Sequence, residues 1–237
     1  MSRIQSFQDD SNDAELLRVL DQFMPSLESV SFDVPLALPP CIGCQLKCPG
    51  QENCKVASVQ WMSEHHKKTN ALKKNTKLFT PYTQRPVDLY LQSEFSKVDY
   101  AHDALGSNLA PLTTRAHFLS RRLKTKLYET ITELSVLRIG ENLGLPKKVL
   151  TTEGRAFDHD ESRQLFLQSL LNMSLVFIYQ QDMQRLIDHK EDFESFIAAL
   201  TGFLKFMDQT ELPPKGFPKK EAWVHYPIPE INWKLIL

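Results

Sequence analysis

Residues 41–54 contain every cysteine of the chain and constrain its fold more than any other stretch. The cysteines are Cys41, Cys44, Cys48 and Cys54. A C-x2-C pair forms a tight turn that directs two sulfurs at one ion, and Gly43 eases that turn. Four thiolates complete the coordination of a closed Zn²⁺ or iron–sulfur site. The sequence therefore predicts a metal-binding loop that needs little support from the rest of the fold.

The spacing C-x2-C-x3-C-x5-C leaves the identity of the metal open. Zinc sites usually separate two cysteine pairs by a longer loop than this run provides. Iron–sulfur sites use compact runs, and Cys44-x3-Cys48-Pro49 matches the end of the bacterial ferredoxin pattern. The first cysteine of that pattern is missing, however, and Cys54 has no counterpart in it. We favour structural zinc over a 4Fe–4S cluster, with a metal-free set of thiols or disulfides as the third alternative.

Charge and hydropathy narrow the classes of partner. Lys plus Arg number 28 and Asp plus Glu 29, so attraction to nucleic acid or to an anionic membrane requires local clustering. No apolar run reaches about 18 residues, and we expect no membrane span. Residues 1–10 lack the apolar core of a signal peptide and are too acidic for a transit peptide. We therefore expect a nuclear or cytoplasmic protein, in which clustered thiols bind metal.

Two basic groups are candidates for contacts with nucleic acid or with nuclear-import factors. Their members are Lys67, Lys68, Lys73, Lys74, Lys77, Arg115, Arg121, Arg122, Lys124 and Lys126. Phosphate contacts from such residues bind nucleic acid without reading its sequence, and salt weakens them. The sequence shows no aromatic stacking platform and no zinc-finger recognition helix beside them. A solvated helix surface is the alternative interpretation of both groups.

Apolar periodicity predicts a mainly α fold: a helical bundle with a small N-terminal four-cysteine metal knot and an extended C-terminal segment. We expect residues 1–12 to be disordered, and residues 13–80 to form a short helix, the knot and a basic helix. Residues 81–210 would form the bundle. Residues 211–237, rich in proline and aromatic side chains, would be extended and pack back on the helices or bind a partner.

Within the predicted bundle, helices are expected from Pro86 to Gly106, from Pro111 to Gly140, and over residues 193–207. A further helix begins at Asp158 or Asp160 and ends near Ile187. Its stretch over 165–179 is apolar on nearly every side, which is typical of a helix enclosed by others. We therefore expect this helix at the centre of the bundle.

These patterns favour a non-enzymatic function: a metal-stabilised subunit or adaptor of an intracellular, nuclear or cytoplasmic, protein assembly. The first alternative is a nucleic-acid-binding protein that uses its basic helices beside a zinc or iron–sulfur site. The second is an HD-type metal-dependent phosphohydrolase, a class that combines an upstream His, a His-Asp pair and a distant Asp. The corresponding residues would be His65 or His66, His102-Asp103, and Asp158 or Asp160. The sequence around Tyr100–Leu105 does not otherwise resemble that class.

Overall fold

The computed structural model describes residues 13–70, 78–95, 103–106, 108–150 and 159–235. Their helices are α1 (Asp13–Phe23), α2 (Ala57–Asn70), α3 (Pro86–Glu94), α4 (Leu109–Ser120), α5 (Thr132–Asn142), α6 (Lys147–Leu150), α7 (Asp160–Asn172), α8 (Gln180–Asp188) and α9 (Lys190–Phe206). Their strands are β1 (Ser29–Phe32) and β2 (Lys126–Glu129). The described chain is thus mainly helical, as the sequence predicted. Among these helices none is long and apolar enough to cross a membrane.

The chain divides into two compact units, each assembled from separate parts of the sequence. Unit 1 comprises Met1–Asp33, Leu123–Glu211 and His225–Leu237, and unit 2 comprises Val34–Arg122 and Leu212–Val224. Unit 1 contains α1, both strands and helices α5 to α9. Unit 2 contains the cysteines and helices α2 to α4. Helices α3 and α4, which the sequence analysis placed in the bundle, therefore share a unit with the cysteines.

The core of unit 1 is formed mainly by α5, α7, α8 and α9. Its fully buried side chains include Phe166, Leu170, Leu186, Ile197 and Leu204. Because four helices converge on it, this core buries far more apolar surface than one amphipathic pair of helices would. The apolar segment that the sequence placed at the centre of the bundle supplies α7 and α8 to this core.

A two-stranded parallel sheet joins the beginning of unit 1 to its middle. Strand β1 pairs with β2 in a register that sets Ser29 opposite Lys126 and Phe32 opposite Glu129. Beyond the strands, the carboxylate of Asp33 accepts hydrogen bonds from the amide and the hydroxyl of Thr132, at 3.0 and 2.5 Å. Burial and the nearby charge of Glu133 raise the pKa of Asp33 to about 7, although the hydrogen bonds from Thr132 at the start of α5 oppose that shift. The sequence analysis did not predict strand β1.

The predicted helix from Pro111 to Gly140 is wrong. Helix α4 ends at Ser120, β2 occupies Lys126–Glu129, and α5 begins at Thr132. The helical spacing of leucines persists through residue 134, but the backbone of Lys126–Glu129 instead pairs with β1, almost a hundred positions earlier in the chain. Long-range pairing of this kind overrides local helix propensity.

Two other predicted helices are shorter than expected. The helix expected to end near Ile187 is divided into α7 and α8, and Ser174 between them has a positive φ of 57° that ends the helical path. Leu175, Val176 and Ile178 in the connection still pack against the core, which explains their apolar character. The helix expected from Pro86 to Gly106 ends at Glu94. Its expected continuation over 96–102 lies outside the described residues, as does the N-terminal segment expected to be disordered.

The C-terminal segment is extended, and its described residues in unit 1 pack back on the helices. Ile231 is buried in the core of unit 1. The side chain of Asn142 at the end of α5 holds the segment by donating to the carbonyl of Pro229 and accepting from the amide of Ile231, both at 2.8 Å. One amide side chain therefore satisfies two backbone groups of this extended segment.

Replacing Asn142 with alanine should destabilise unit 1. The variant removes both hydrogen bonds and leaves the amide of Ile231 without its acceptor, which costs on the order of 1–3 kcal/mol of unfolding free energy. Urea denaturation monitored by circular dichroism measures the loss. Asn172→Ala is the matched control, because its side chain only accepts from exposed Gln168 at 3.3 Å. Equal unfolding midpoints for the two variants would contradict the role of Asn142.

His225 should make unit 1 less stable in mild acid. Burial and the nearby charge of Lys205 lower the pKa of His225 to about 4. Its ring lies edge-on to Tyr128 at 5.2 Å, and its buried Nδ1 has no hydrogen-bond partner in the described part of the chain. An unfolded histidine titrates near 6.5, so between about pH 6.5 and 4 the unfolded state binds a proton that the folded state does not. The contribution of His225 to the unfolding free energy is therefore complete above about pH 6.5 and is lost as pH falls towards 4.

The measurement is the unfolding free energy at several pH values between about 7 and 4.5, compared between the wild type and His225→Gln. The wild type should lose more stability than the variant on acidification. The comparison is needed because burial raises the pKa of Asp33 to about 7 and also raises that of Glu194, and both carboxyls contribute with the opposite sign. Parallel profiles for the two proteins would show that His225 does not titrate as described.

Candidate functional site

The cysteine loop, residues 41–54 of unit 2, is irregular chain fixed by short backbone hydrogen bonds. The amide of Cys41 donates to the carbonyl of Pro81 at 3.1 Å, and the amide of Cys44 donates back to Cys41 at 3.4 Å. Gly50 has a φ of 87°, which glycine adopts without steric cost, and it turns the chain after Pro49. The predicted bends of the loop are therefore present at the positions that the sequence indicated.

The two ends of the cysteine loop rest on an apolar cluster. Cys41 and Cys54 are half-buried and pack, with Val56 and Trp61, against this cluster. The buried members of the cluster are Val59, Met62, Phe79 and Leu89. Cys44 and Cys48, in the middle of the loop, are exposed. The loop thus has two anchored sulfurs and two sulfurs that face solvent.

All four cysteines are free thiols, and the electrostatics of Cys41 depend on the other three. Burial raises the pKa of Cys41, and the charges of Cys54, Cys44 and Cys48 raise it further. Thiolates that repel one another in this way are stabilised by a bound cation, which replaces the repulsion with attraction. Four thiols are a donor set that soft metals favour.

The four sulfurs do not form a completed cage as they are placed. Among the described residues, which include all four cysteines, no group of three or more Cys, His, Asp or Glu side chains is arranged to hold a metal ion. The cysteines are therefore suitable ligands for Zn²⁺, but their sulfurs are not arranged around one position. Binding one ion with all four thiols requires the exposed Cys44 and Cys48 to close towards Cys41 and Cys54. Metal ligation by these residues stays a prediction.

The predicted basic groups are exposed where the structure describes them. Lys67 and Lys68 lie in the last turn of α2, whereas Lys73, Lys74 and Lys77 lie outside the described residues. Arg115 lies within α4 and Arg121 and Arg122 follow its end, all in unit 2, whereas Lys124 and Lys126 belong to unit 1. The structure therefore brings three of the predicted arginines together on one helix and its C-terminal end.

The described members of the proposed HD-type set are bound to other protein groups. The Nε2 atom of His65 lies 2.8 Å from the hydroxyl of Ser93, and burial lowers the pKa of His65. The carboxylate of Asp103 accepts hydrogen bonds from Gln84 and Gln92, at 2.8 and 3.0 Å. Asp160 belongs to unit 1, where it forms an ion pair with Arg163. His102 and Asp158 lie outside the described residues.

Sequence reasoning missed an aromatic cluster that closes unit 2. Residues 212–224 carry Phe217 and Trp223, whose rings lie 5.2 Å from Trp61 and 5.5 Å from Tyr90, respectively. Trp61 in turn stacks on His65 at 4.8 Å. The aromatic content of the C-terminal segment indicated burial, but its destination more than a hundred residues away left no local signal.

No protein-family model, curated protein or solved structure matches this chain. Its function must therefore be argued from its own residues. Two features of unit 2 carry chemistry: the cysteine loop, with four thiols, and the arginine-bearing surface of α4.

The metal-free protein should show a graded reactivity of its thiols. Cys44 and Cys48 are exposed, whereas Cys41 and Cys54 pack against the apolar cluster, and burial of a thiol suppresses its reactive thiolate form. Brief alkylation after treatment with a chelator, followed by mass spectrometry of the peptides, should label Cys44 and Cys48 first. The denatured protein is the control, in which all four should react alike. Faster labelling of Cys41 than of Cys44 would contradict the described loop.

Proposed function

We propose that this chain is a non-enzymatic subunit or adaptor of an intracellular, nuclear or cytoplasmic, protein assembly. In this proposal Zn²⁺, bound by Cys41, Cys44, Cys48 and Cys54, stabilises unit 2. The observation that carries the proposal is the set of four free cysteines on a single anchored loop. Reduced cysteines at this density fit a reducing compartment, in which they serve as metal ligands.

Zinc would contribute much of the stability of unit 2. The apolar cluster under the cysteine loop is small, whereas structural zinc sites contribute apparent binding energies of about 10–16 kcal/mol. Such a contribution is as large as the whole stability of an ordinary domain, which is about 5–15 kcal/mol. Closing Cys44 and Cys48 onto an ion held by Cys41 and Cys54 would fix the loop and the ends of the chain segments beneath it.

A structural role fits this donor set better than a catalytic one. Four thiolates fill the tetrahedral coordination of zinc and leave no position for water or substrate. The buried polar groups of unit 2 also bind one another: Arg85 forms an ion pair with Asp88 at 2.7 Å, and Asp103 accepts from two glutamines. These groups stabilise the fold of unit 2.

Apolar side chains exposed around the cysteine loop support the adaptor role. Ile42 and Leu46 in the loop are 50% and 67% exposed, and Tyr82 is 56% exposed. The hydrogen bond between Cys41 and Pro81 brings Ile42 close to Tyr82. Exposed apolar groups that cluster in this way are typical of surfaces that bind other proteins.

A second candidate function is binding of nucleic acid. The observation that favours it is the exposure of Lys67, Lys68 and the arginines that follow α4. Because such binding depends on release of counterions, its affinity for an oligonucleotide should fall steeply between low and moderate salt. Affinity that is independent of salt would count against this alternative.

Metal content and colour of the purified protein test the proposed site. We expect about one zinc per chain in a colourless protein, because four cysteines complete one tetrahedral site. A brown protein with broad absorption near the blue end of the visible spectrum and bound iron would indicate a 4Fe–4S cluster instead. Absence of both metals from protein purified without chelator would contradict the proposed metal site.

Replacing Cys44 with serine should abolish zinc binding and loosen unit 2. Hydrogen exchange should accelerate in α2 and α3, while α7 and α9 in unit 1 keep their protection, because these units have separate cores. Leu46→Ser is the matched control: it changes an exposed side chain of the same loop without removing a thiol. Equal acceleration in both variants, or loss of protection throughout unit 1, would contradict the stabilising role of the metal in unit 2.

A further inference from the structure

The outward surface of α4 presents an exposed aromatic side chain. Phe118 is 41% exposed, whereas Thr113, Ala116 and Leu119 on the opposite side of the helix are buried. An exposed phenylalanine is costly in water, since burying such a side chain contributes about 1.5–3 kcal/mol. The packing of α4 therefore leaves part of the Phe118 side chain exposed.

Three arginines surround Phe118 on this surface. Arg115, Arg121 and Arg122 occupy positions i−3, i+3 and i+4 relative to Phe118, and side chains at these spacings are neighbours on a helix. Arg121 retains helical backbone angles, with φ −70° and ψ −13°, so the helical path continues past Ser120. All three arginines are exposed. We call Arg115, Phe118, Arg121 and Arg122 the arginine–phenylalanine surface; all belong to unit 2.

The sequence around this surface is strongly basic. Residues 104–128 contain five Lys and Arg residues and no Asp or Glu. The charged Lys, Arg, Asp and Glu side chains of this stretch are therefore all positive, although the chain as a whole has a formal net charge of −1. A guanidinium group can bind a carboxylate through two parallel hydrogen bonds, which a lysine ammonium cannot.

We infer that the arginine–phenylalanine surface binds an acidic segment of a partner protein in which an apolar side chain is flanked by carboxylates. This inference rests on the proposed adaptor function and specifies the chemistry of its partner. Arg121 and Arg122 bind the carboxylates, and Phe118 buries its ring against the apolar side chain between them. Exposed aromatic and arginine side chains are the types that contribute most at protein interfaces.

An acidic peptide fits this surface better than a nucleic acid does. Single-stranded nucleic acids are bound by several aromatic side chains that stack successive bases along a basic groove. The arginine–phenylalanine surface has one aromatic ring and spans about two helical turns. The net charge of −1 also supplies no long-range attraction for a polyanion. A short acidic segment needs to contact only this surface.

Selection from a library of short random peptides displayed on phage tests the inference. The wild-type protein is the bait, and the double variant Arg121→Glu/Arg122→Glu is used for counter-selection. We expect enriched peptides that carry an aromatic or aliphatic residue between Asp or Glu residues. No enrichment, or enriched peptides that lack acidic residues, would overturn the inference.

Fluorescence anisotropy with the most enriched peptide then measures the contribution of each residue. Arg121→Glu/Arg122→Glu should weaken binding at least about tenfold, and Phe118→Ala about fivefold or more, corresponding to roughly 1 kcal/mol for the ring. Lys219→Glu/Lys220→Glu is the matched charge reversal on unit 2, and Phe177→Ala removes an aromatic ring that is 81% exposed on unit 1. Both controls should keep wild-type affinity. Equal loss in the controls, or tighter binding of an oligouridine RNA than of the peptide, would overturn the inference.

Thermal unfolding and zinc content of every variant separate this inference from the proposed metal site. Protein with about one zinc per chain that selects no acidic peptide overturns the binding surface alone. Protein without metal that still binds the peptide through Phe118 supports the surface and overturns the zinc site alone. If the charge-reversal variant loses both folding and binding, it is replaced by Arg121→Gln/Arg122→Gln. This variant removes the charge and keeps the shape and polarity of the helix end. Retention of full affinity by this folded variant would overturn the inference.

Discussion

The attachment of the cysteine loop to the apolar cluster beneath it is the constraint on which unit 2 depends. The backbone of Cys41 is bound to Pro81, and the side chains of Cys41 and Cys54 pack over Met62 and its buried neighbours. This attachment holds two of the four cysteines by ordinary apolar packing, so in the proposed site a metal would have to order only the middle of the loop. Since each ordered residue costs about 1–2 kcal/mol of backbone entropy, such pre-ordering increases the effective affinity for the metal.

Both units are closed by segments that are distant in sequence. In unit 1, β1 pairs with a strand from the middle of the chain, and Asn142 holds the segment near Ile231. In unit 2, the hydroxyl of Ser58 binds the carboxylate of Glu221, and Phe217 packs edge-on against Trp61. A fragment that contained only the longest continuous stretch of either unit would therefore lose contacts that complete the core of that unit. This organisation accounts for an extended C-terminal segment that is rich in aromatic residues.

The sequence predicted what depends on local spacing. Helix α9, the start of α3 at Pro86, and the turns around Gly43 and Gly50 follow from apolar periodicity, proline and glycine at short range. It failed where long-range contacts decide the conformation. Lys126–Glu129 adopts a strand because β1 lies beside it, and the apolar run around Ser174 is interrupted because its extended residues reach the same core as the flanking helices.

The candidate sites show the same difference between features set by local sequence and features set by long-range contacts. The four cysteines stand out in the sequence because they lie within one short stretch, and the structure adds which of them are anchored. Phe118 was missed, although its helical spacing from Arg115, Arg121 and Arg122 is visible in the sequence. Its significance depends on exposure, which only the packing of the opposite side of α4 reveals. The buried partners of His65 and Asp103 could not be predicted, because their hydrogen bonds join different segments.

Zinc K-edge X-ray absorption spectroscopy of the purified protein tests the central claim most directly, since it reports the atoms around the metal without relying on the fold. We predict a single shell of four sulfur atoms at about 2.3 Å, the distance of zinc–thiolate bonds. A shell of nitrogen and oxygen atoms at about 2.0–2.1 Å would show that zinc binds elsewhere and would contradict ligation by the cysteine loop.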